Sequence, residues 1–193
     1  ANYLKYTSNF TIDLKTNDIV YLKKSAEDWK VSLIDTGDET MTGGRILRIK
    51  EFTENKPFHL TYGDGLSDIN INNLMQFHVK EKTKITITAV QPKGRFGSLG
   101  LDHKTNIVSS FKEKPKENGI WINGGYMICE QEVFSFIEND KTVFEEYPLS
   151  EIAKNGQMKA YKHRGFWRPM DTLKDKNDLN TLWDLGDAKW KCW

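Results

Sequence analysis

The chain has 193 residues, 38% of them hydrophobic and 12% aromatic, which is enough for one core, so we expect a single domain over residues 1–193. Its 28 basic and 27 acidic residues nearly cancel and form no basic stripe, which argues against nucleic-acid binding. Cys129 and Cys192 lack disulfide-framework or zinc spacing, and no apolar run is long enough to span a membrane, so we expect a soluble cytoplasmic protein.

The first third of the chain carries short apolar runs separated by polar turns. Asn9 to Lys23 alternates on both sides of the sequence KTND, which predicts a hairpin or two short edge strands. Val31 to Ile34 predicts a buried strand. A short helix is expected to start near Thr42, because the apolar residues that follow recur at helical spacing.

The next segment repeats this order of strand, loop and helix. Phe58 to Tyr62 predicts a strand, and apolar residues between Ile71 and Val79 recur at i, i+3, i+4, i+7 and i+8, with Asp68 or Asn70 as the helix cap. The sequence KITITAV predicts a third strand. Alternating strands and helices indicate an α/β fold with a largely parallel sheet, which binds ligands beyond the carboxyl ends of its strands.

Beyond Val90 the pattern changes to short runs joined by glycine-rich or charged loops. These runs predict additional antiparallel strands in GRFGSLGLD, NIVSSFKEKP and GIWINGGYMICE, and a later strand in MKAYKH. Helices are predicted for EQEVFSFIEND, for FEEYPLSEIAKNG ending at Gly156, and for DTLKDKNDLNTLWDLG ending at Gly186.

Two aspartates are the candidate metal ligands. Asp64 follows a predicted strand in the sequence YGDG, where Asp-Gly is also a common turn pair, and helical rather than hairpin periodicity follows Gly65. Asp171 ends the extended segment GFWRPMD, where it could instead be the N-cap of the last helix. If the fold brings Asp64 and Asp171 together, they could hold Mg²⁺, which takes one or two carboxylates besides phosphate oxygens and water.

Three further stretches could contact a ligand. TMTGGR places two glycines and Arg45 at the start of a helix, a geometry that suits an anion, although an exposed arginine is equally compatible with it. In FKEKPK, Pro115 forces an extended backbone on Lys114, which could aim a charge into a pocket or belong to a solvated cluster. In WINGGY, Asn123 could bind sugar hydroxyls or form a turn.

Taken together and in order, these stretches resemble a known family over nearly the whole chain. The motifs are TGDETMTGGR, TYGDGLSDININ, GRFGSLGLD, SFKEKPK, WINGGYMICEQEVF, EEYPLSEIAKNGQMKAY and GFWRPMDTLKDKNDLNTLW. The chain resembles the bacterial sugar-1-phosphate nucleotidylyltransferases, and within them the cytidylyl branch that makes CDP-glucose. The resemblance implies a Rossmann-like nucleotidyltransferase fold, with a mixed, mostly parallel sheet flanked by helices and additional short antiparallel strands.

The resemblance also implies a reaction. CTP and α-D-glucose 1-phosphate would give CDP-glucose and pyrophosphate by Mg²⁺-dependent in-line displacement, in a homo-oligomer that serves lipopolysaccharide O-antigen synthesis. Positions that match the family motifs imply three groups of site residues: Asp64, Asp171 and Lys114 for catalysis, with both aspartates on the metal; Thr40, Gly43, Arg45 and Gly63 for the nucleotide; Glu113, Lys114, Asn123 and Gly124 for the sugar phosphate.

One feature departs from the family pattern. Members begin with a strand, a glycine-rich loop of the type GGxGTRL and a lysine, and this sequence starts beyond them. We therefore expect a chain that begins at Ala1 to be truncated at its N-terminus relative to the family, and to be inactive.

Two other classes of function stay open at this stage. A glycosyltransferase of similar architecture could use DGLSD as its metal-binding motif and transfer sugar from a nucleotide sugar without making pyrophosphate. A sugar-binding or regulatory domain could keep the fold without catalysis. Within the preferred class, another nucleotide or hexose phosphate could be the substrate.

Overall fold

The structure is a computed structural model that describes residues 3–23, 28–92, 98–101, 105, 108–112 and 120–192. The chain forms two compact units, Ala1–Asp35 and Thr36–Trp193. The first unit contains a hairpin, and the second contains the main sheet and its helices. That residues 1–193 act as one catalytic domain stays a prediction.

The first unit confirms the predicted hairpin. After a short helix α1 (Tyr3–Thr7), strand β1 (Asn9–Ile12) pairs antiparallel with β2 (Ile19–Lys23). The carboxylate of Asp13 accepts a hydrogen bond from the backbone N–H of Lys15 (2.8 Å), which stabilises the turn between the strands.

The predicted strand at Val31 to Ile34 is wrong. Residues 28–35 form no strand, and Val31 and Leu33 are 74% and 87% exposed. A strand requires a hydrogen-bonding partner, and none pairs with this run among the residues described. The apolar pattern alone therefore misidentified it.

The second unit is built from short strands and helices of 7 to 12 residues. Its elements are α2 (Thr42–Arg48), β3 (Phe58–Thr61), β4 (Gly65–Ser67), α3 (Ile71–Glu81), β5 (Ile85–Val90), β6 (Ser98–Leu101), β7 (Val108–Lys112), β8 (Ile122–Cys129), α4 (Tyr147–Lys154), β9 (Met158–Lys162), β10 (Trp167–Pro169) and α5 (Leu173–Asp184).

The main sheet has four strands in the order β3-β8-β5-β9. Strands β3, β5 and β9 run in one direction, and β8 lies antiparallel between β3 and β5. Two small antiparallel pairs, β6 with β7 and β4 with β10, accompany it. The prediction of a mixed sheet flanked by helices, with additional antiparallel strands, is confirmed. Strand β3 is an outer strand of the described sheet.

Both faces of the sheet are covered. Strand β5 is buried along most of its length, and Ile85 joins Met127 and Phe144 in the core that α4 closes on one face. On the other face α3 packs against β5 and β9 through Leu74 and His78. The helices therefore cover both faces of the sheet and leave the loops after its strands at the edge.

The helix predictions are confirmed at α2, α3, α4 and α5 and need two corrections. Asn70 caps α3 by accepting a hydrogen bond from the N–H of Asn73 (2.9 Å), so of the two proposed caps Asn70 is correct. The predicted helix in EQEVFSFIEND is a short 3₁₀ turn, Gln131–Phe136. The segment after Gly65 first forms β4 and becomes helical only at Ile71.

Within the described ranges, no helix is both long and apolar enough to cross a membrane.

The two cysteines differ sharply in exposure, which gives a direct test of this fold. Burial raises the pKa of the Cys129 thiol to about 12, so it stays protonated at pH 8, whereas Cys192 is exposed. We expect Ellman's reagent to label one thiol per native chain quickly and Cys129 only after unfolding. In Cys192→Ser, fast labelling should disappear. Rapid labelling of both native thiols would contradict the placement of β8 in the core.

Candidate functional site

The pairing of β4 with β10 brings together two segments that are far apart in sequence. Gly65 lies opposite Pro169, and the N–H of Met170 donates to the carbonyl oxygen of Asp64 (2.8 Å). Asp171 is the next residue after Met170. The backbones that carry Asp64 and Asp171 are therefore neighbours, and both side chains are exposed.

Asp171 is not the cap of α5. That role belongs to Thr172, whose hydroxyl accepts from the N–H of Asp175 (3.1 Å), while the Asp175 carboxylate accepts from the N–H of Thr172 (3.1 Å). The helix starts one residue later than the alternative interpretation required. Arg168 on β10 forms an ion pair with Asp178 on α5, which ties strand and helix together around Asp171.

A bulge in β8 shapes the facing wall. Against β5, Met127 pairs with Ile87 and Asn123 with Ala89, so β8 uses four steps where β5 uses two. Gly125 adopts φ +79°, and its N–H donates to the side-chain oxygen of Asn123 (2.8 Å). The bulge thus needs glycine and fixes the orientation of the Asn123 amide.

A small cavity of about 50 Å³ lies between these walls. The Trp167 indole N–H donates to the carbonyl of Gly124 (2.8 Å), and the Tyr126 hydroxyl donates to the carbonyl of Gly65 (2.7 Å), which joins β8 to β4 and β10. Three of the predicted site residues, Asp64, Asn123 and Gly124, line this cavity. The full lining is Thr61, Tyr62, Asp64, Gly65, Asn123, Gly124, Gly125, Tyr126, Trp167 and Pro169.

Tyr62 and Glu145 form a polar contact at the cavity that the sequence prediction missed. The Tyr62 hydroxyl donates to Oε1 of Glu145 (2.5 Å), and the Thr42 hydroxyl donates to Oε2 (2.6 Å). Partial burial, followed by the hydrogen bond to Glu145 and its charge, raises the pKa of Tyr62, so the phenol stays a donor at neutral pH. Tyr62 was predicted only as a strand residue, and nothing local in the sequence marks its partners.

The predicted nucleotide residues at the start of α2 do not line the cavity. The Gly43 N–H donates to the carbonyl of Thr142 (2.9 Å), and a Cβ on Gly43 would lie 2.7 Å from that oxygen. Arg45 donates to Oγ1 of Thr36 (2.7 Å) and to the carbonyl of Asp38 (3.2 Å), and Thr40 is buried. Close packing against Thr142 explains why residue 43 is a glycine. Contact of this segment with the nucleotide stays a prediction.

The other three predicted residues do not line the cavity or lie outside the described residues. Gly63 occupies an exposed turn beside Asp64, with no heavy atom within 4 Å of the position a Cβ would take. Glu113 and Lys114 lie outside the described residues. Their predicted contacts with the sugar phosphate stay predictions.

The acidic residues of the site suit a hard cation. No group of three or more His, Cys, Asp or Glu residues within the described part of the chain could hold a metal ion by itself. Asp64 and Asp171 offer two carboxylates on adjoining backbone without sulfur or imidazole. This donor set fits Mg²⁺, which completes its shell with phosphate oxygens and water, and does not fit a zinc site.

Comparison with known sequences gives consistent matches. The model of the family "Nucleotidyl transferase" matches residues 21–182. The chain is 44% identical to a glucose-1-phosphate cytidylyltransferase of Salmonella typhimurium over 194 aligned residues, which cover 100% of this chain and 75% of the relative. It is 36% identical to a probable glucose-1-phosphate cytidylyltransferase of Bacillus subtilis, covering 96% of this chain and 72% of that protein.

Solved structures with the same fold are more distant in sequence. A putative glucose-1-phosphate thymidylyltransferase from Bacillus anthracis superimposes with a TM-score of 0.57 at 17% identity, covering 81% of this chain. An apo UDP-glucose pyrophosphorylase gives 0.58 at 14% identity, covering 80%. This chain spans 65% and 64% of their respective lengths. At these identities the likeness concerns the fold alone.

Proposed function

Because this chain belongs to the nucleotidyl transferase family, with the glucose-1-phosphate cytidylyltransferases as its relatives at 44% identity, we propose that it transfers a cytidylyl group from CTP to α-D-glucose 1-phosphate. The products are CDP-glucose and pyrophosphate. The coarser activity, nucleotidyl transfer to a sugar 1-phosphate, follows from the family. The choice of CTP and glucose is the proposal.

The reaction forms one bond and breaks one. A phosphate oxygen of glucose 1-phosphate attacks the α-phosphorus of CTP, and the bond to the oxygen bridging the α- and β-phosphorus atoms breaks, which releases pyrophosphate. No protein nucleophile is required, so the protein contributes by alignment and by neutralising charge. Asn123 and the backbone around Gly124 would orient the sugar, and the predicted residue Lys114 would offset the charge of its phosphate.

Asp64 and Asp171 would hold Mg²⁺, which neutralises the charge of the triphosphate when it is bound. The carboxylates themselves act by fixing that charge at one edge of the cavity. One observation carries this proposal: the β4–β10 pairing makes the backbones of Asp64 and Asp171 neighbours beside a cavity that Asn123 also lines.

The test is pyrophosphate release by a full-length protein, one that includes the N-terminal strand, glycine-rich loop and lysine of the family pattern, with glucose 1-phosphate, Mg²⁺ and each of CTP, UTP, dTTP, GTP and ATP in turn. We expect CTP to be used at least about tenfold better than the others in kcat/KM, a difference of about 1.4 kcal/mol in transition-state binding. Mass spectrometry should identify CDP-glucose. A preference for another nucleotide would correct the base, and turnover only with another hexose phosphate would correct the sugar.

The same assay separates the other classes of function. A glycosyltransferase would consume CDP-glucose, release CDP and make no pyrophosphate from CTP. A binding domain would bind CDP-glucose without any turnover. The family match favours the pyrophosphorylase reaction over both. As parts of the same proposal we expect a homo-oligomer, a cytoplasmic location and a role in supplying sugar for O-antigen synthesis.

A further inference from the structure

A carboxylate outside the cavity holds three segments of the chain together. Glu145, just before α4, is joined through its two oxygens to Tyr62, after β3, and to Thr42, at the start of α2. These distances, 2.5 and 2.6 Å, are typical of hydroxyl donors on an ionised acceptor. None of these three residues was predicted to contact the sugar or the metal.

The carboxylate has a fixed orientation. The hydroxyl of Thr42 accepts from the N–H of Phe144 (2.9 Å), so its proton is directed to Glu145. Phe144 is fully buried, which anchors the backbone directly before Glu145 in the core. Glu145 therefore presents Oε1 to Tyr62 from a rigid base although its own side chain is exposed.

Tyr62, which Glu145 holds, lines the cavity. Its ring packs on the bulge of β8, where a Cβ on Gly125 would lie 2.8 Å from Cδ2 of the ring. The N–H of Tyr62 donates to the carbonyl oxygen of Gly125 (3.2 Å), so Tyr62 contacts the bulge through both its backbone and its ring. The oxygen of Asn123 accepts from the N–H of Gly125 (2.8 Å), so the bulge that Tyr62 packs against also fixes the amide of Asn123.

We propose that Glu145 is a positioning residue for the sugar subsite, which acts through Tyr62 to fix the amide of Asn123 toward the glucosyl group. This inference rests on the proposed function, because it takes Asn123 as a contact of the sugar. Loss of either hydrogen bond to Glu145 should therefore weaken recognition of the sugar and leave the nucleotide portion of the ligand unaffected.

The test compares two ligands by isothermal titration calorimetry in the full-length protein with Mg²⁺. The ratio of the Kd of CDP to the Kd of CDP-glucose isolates the contribution of the glucosyl group. In Glu145→Gln and Tyr62→Phe we expect the affinity for CDP-glucose to fall about tenfold, as for one hydrogen bond to a charged group, with the affinity for CDP changed by less than about twofold.

Control variants separate positioning from general damage to the structure. Glu146→Gln changes the neighbouring exposed carboxylate, whose side chain does not cap α4, and should leave both affinities unchanged. Thr42→Ser keeps the hydroxyl that faces Glu145 and should bind like the wild type, whereas Thr42→Val should behave like Glu145→Gln. Tyr62→Phe removes only a hydroxyl, so it remains informative if Glu145→Gln unfolds.

Three results would overturn the inference: equal losses for CDP and CDP-glucose, a lower melting temperature with unchanged affinities, or a wild type that binds CDP and CDP-glucose equally. Failure of the proposed reaction is detected separately, since pyrophosphate release by the wild type does not depend on these variants. A wild type that binds CDP-glucose more tightly than CDP without turnover would refute the activity and leave the role of Glu145 to be decided by the same ratio.

Discussion

Replacing Asp64 or Asp171 by asparagine should lower kcat of the full-length enzyme by about 10²- to 10³-fold, the range found when one electrostatic contact to a reacting oxyanion is removed. Asparagine has nearly the shape of aspartate and keeps one oxygen, so the change removes charge with little effect on packing. A site with two carboxylates loses half of its negative charge with either substitution. The measurement is pyrophosphate release as a function of Mg²⁺ concentration.

The same variants should bind Mn²⁺ more weakly, which electron paramagnetic resonance measures without turnover. Asp184→Asn is the matched control, because Asp184 is an exposed aspartate at the C-terminal end of α5, whereas Asp171 precedes the N-terminal end. It should keep full activity and full Mn²⁺ affinity. If Asp64→Asn or Asp171→Asn keeps wild-type kcat and Mn²⁺ binding, that residue does not hold the metal.

Gly44→Ala should destabilise the protein, although alanine favours helix by about 1 kcal/mol over glycine. A Cβ at this position in α2 would lie 2.5 Å from the Cα and 2.7 Å from the carbonyl oxygen of Asp140. Both are backbone atoms, which a change of rotamer cannot move. Overpacking of this kind costs about 3 kcal/mol, so the net loss should be about 2 kcal/mol and the melting temperature should fall by about 4 to 8 °C.

Residues at both ends of α2 bind Asp140, so the helix cannot shift to relieve the contact at Gly44. Met41 donates its N–H to the Asp140 carbonyl (2.8 Å), and Arg48 pairs with the Asp140 carboxylate (2.6 Å). Gly63→Ala is the control for stability, because nothing lies within 4 Å of its Cβ position. Calorimetry should show an unchanged melting temperature for this variant. An equal or higher melting temperature in Gly44→Ala would show that α2 does not pack on residue 140.

The sequence was sufficient to predict elements whose contacts lie between residues close together in the chain. The apolar spacing from Ile71 to Val79 predicted α3, and Asn70 as its cap is confirmed, since both depend on residues within a few positions of each other. The hairpin around KTND is equally local. Helix α3 fixes where the segment that follows Asp64 ends, and its periodicity supported the α/β fold before any tertiary contact was known.

The walls of the cavity depend on contacts between distant segments. Strands β4 and β10 have three residues each, too few to show the alternation of apolar and polar residues that predicts a strand. They form because they pair with each other. Glu145 resembles any acidic residue before a helix, and its two partners come from other parts of the chain. The prediction at Val31 to Ile34 failed for the opposite reason, since a strand-like pattern found no partner among the described residues.

The wide separation of β4 and β10 along the chain has a consequence for biosynthesis. A ribosome that adds about 5 to 20 residues per second makes Asp171 roughly 5 to 20 s after Asp64. During that interval the nascent polypeptide has one half of the acidic pair and an unpaired β4. The two carboxylates can therefore act together only after Asp171 has emerged from the ribosome, and until then the exposed edge of β4 must be kept from aggregating.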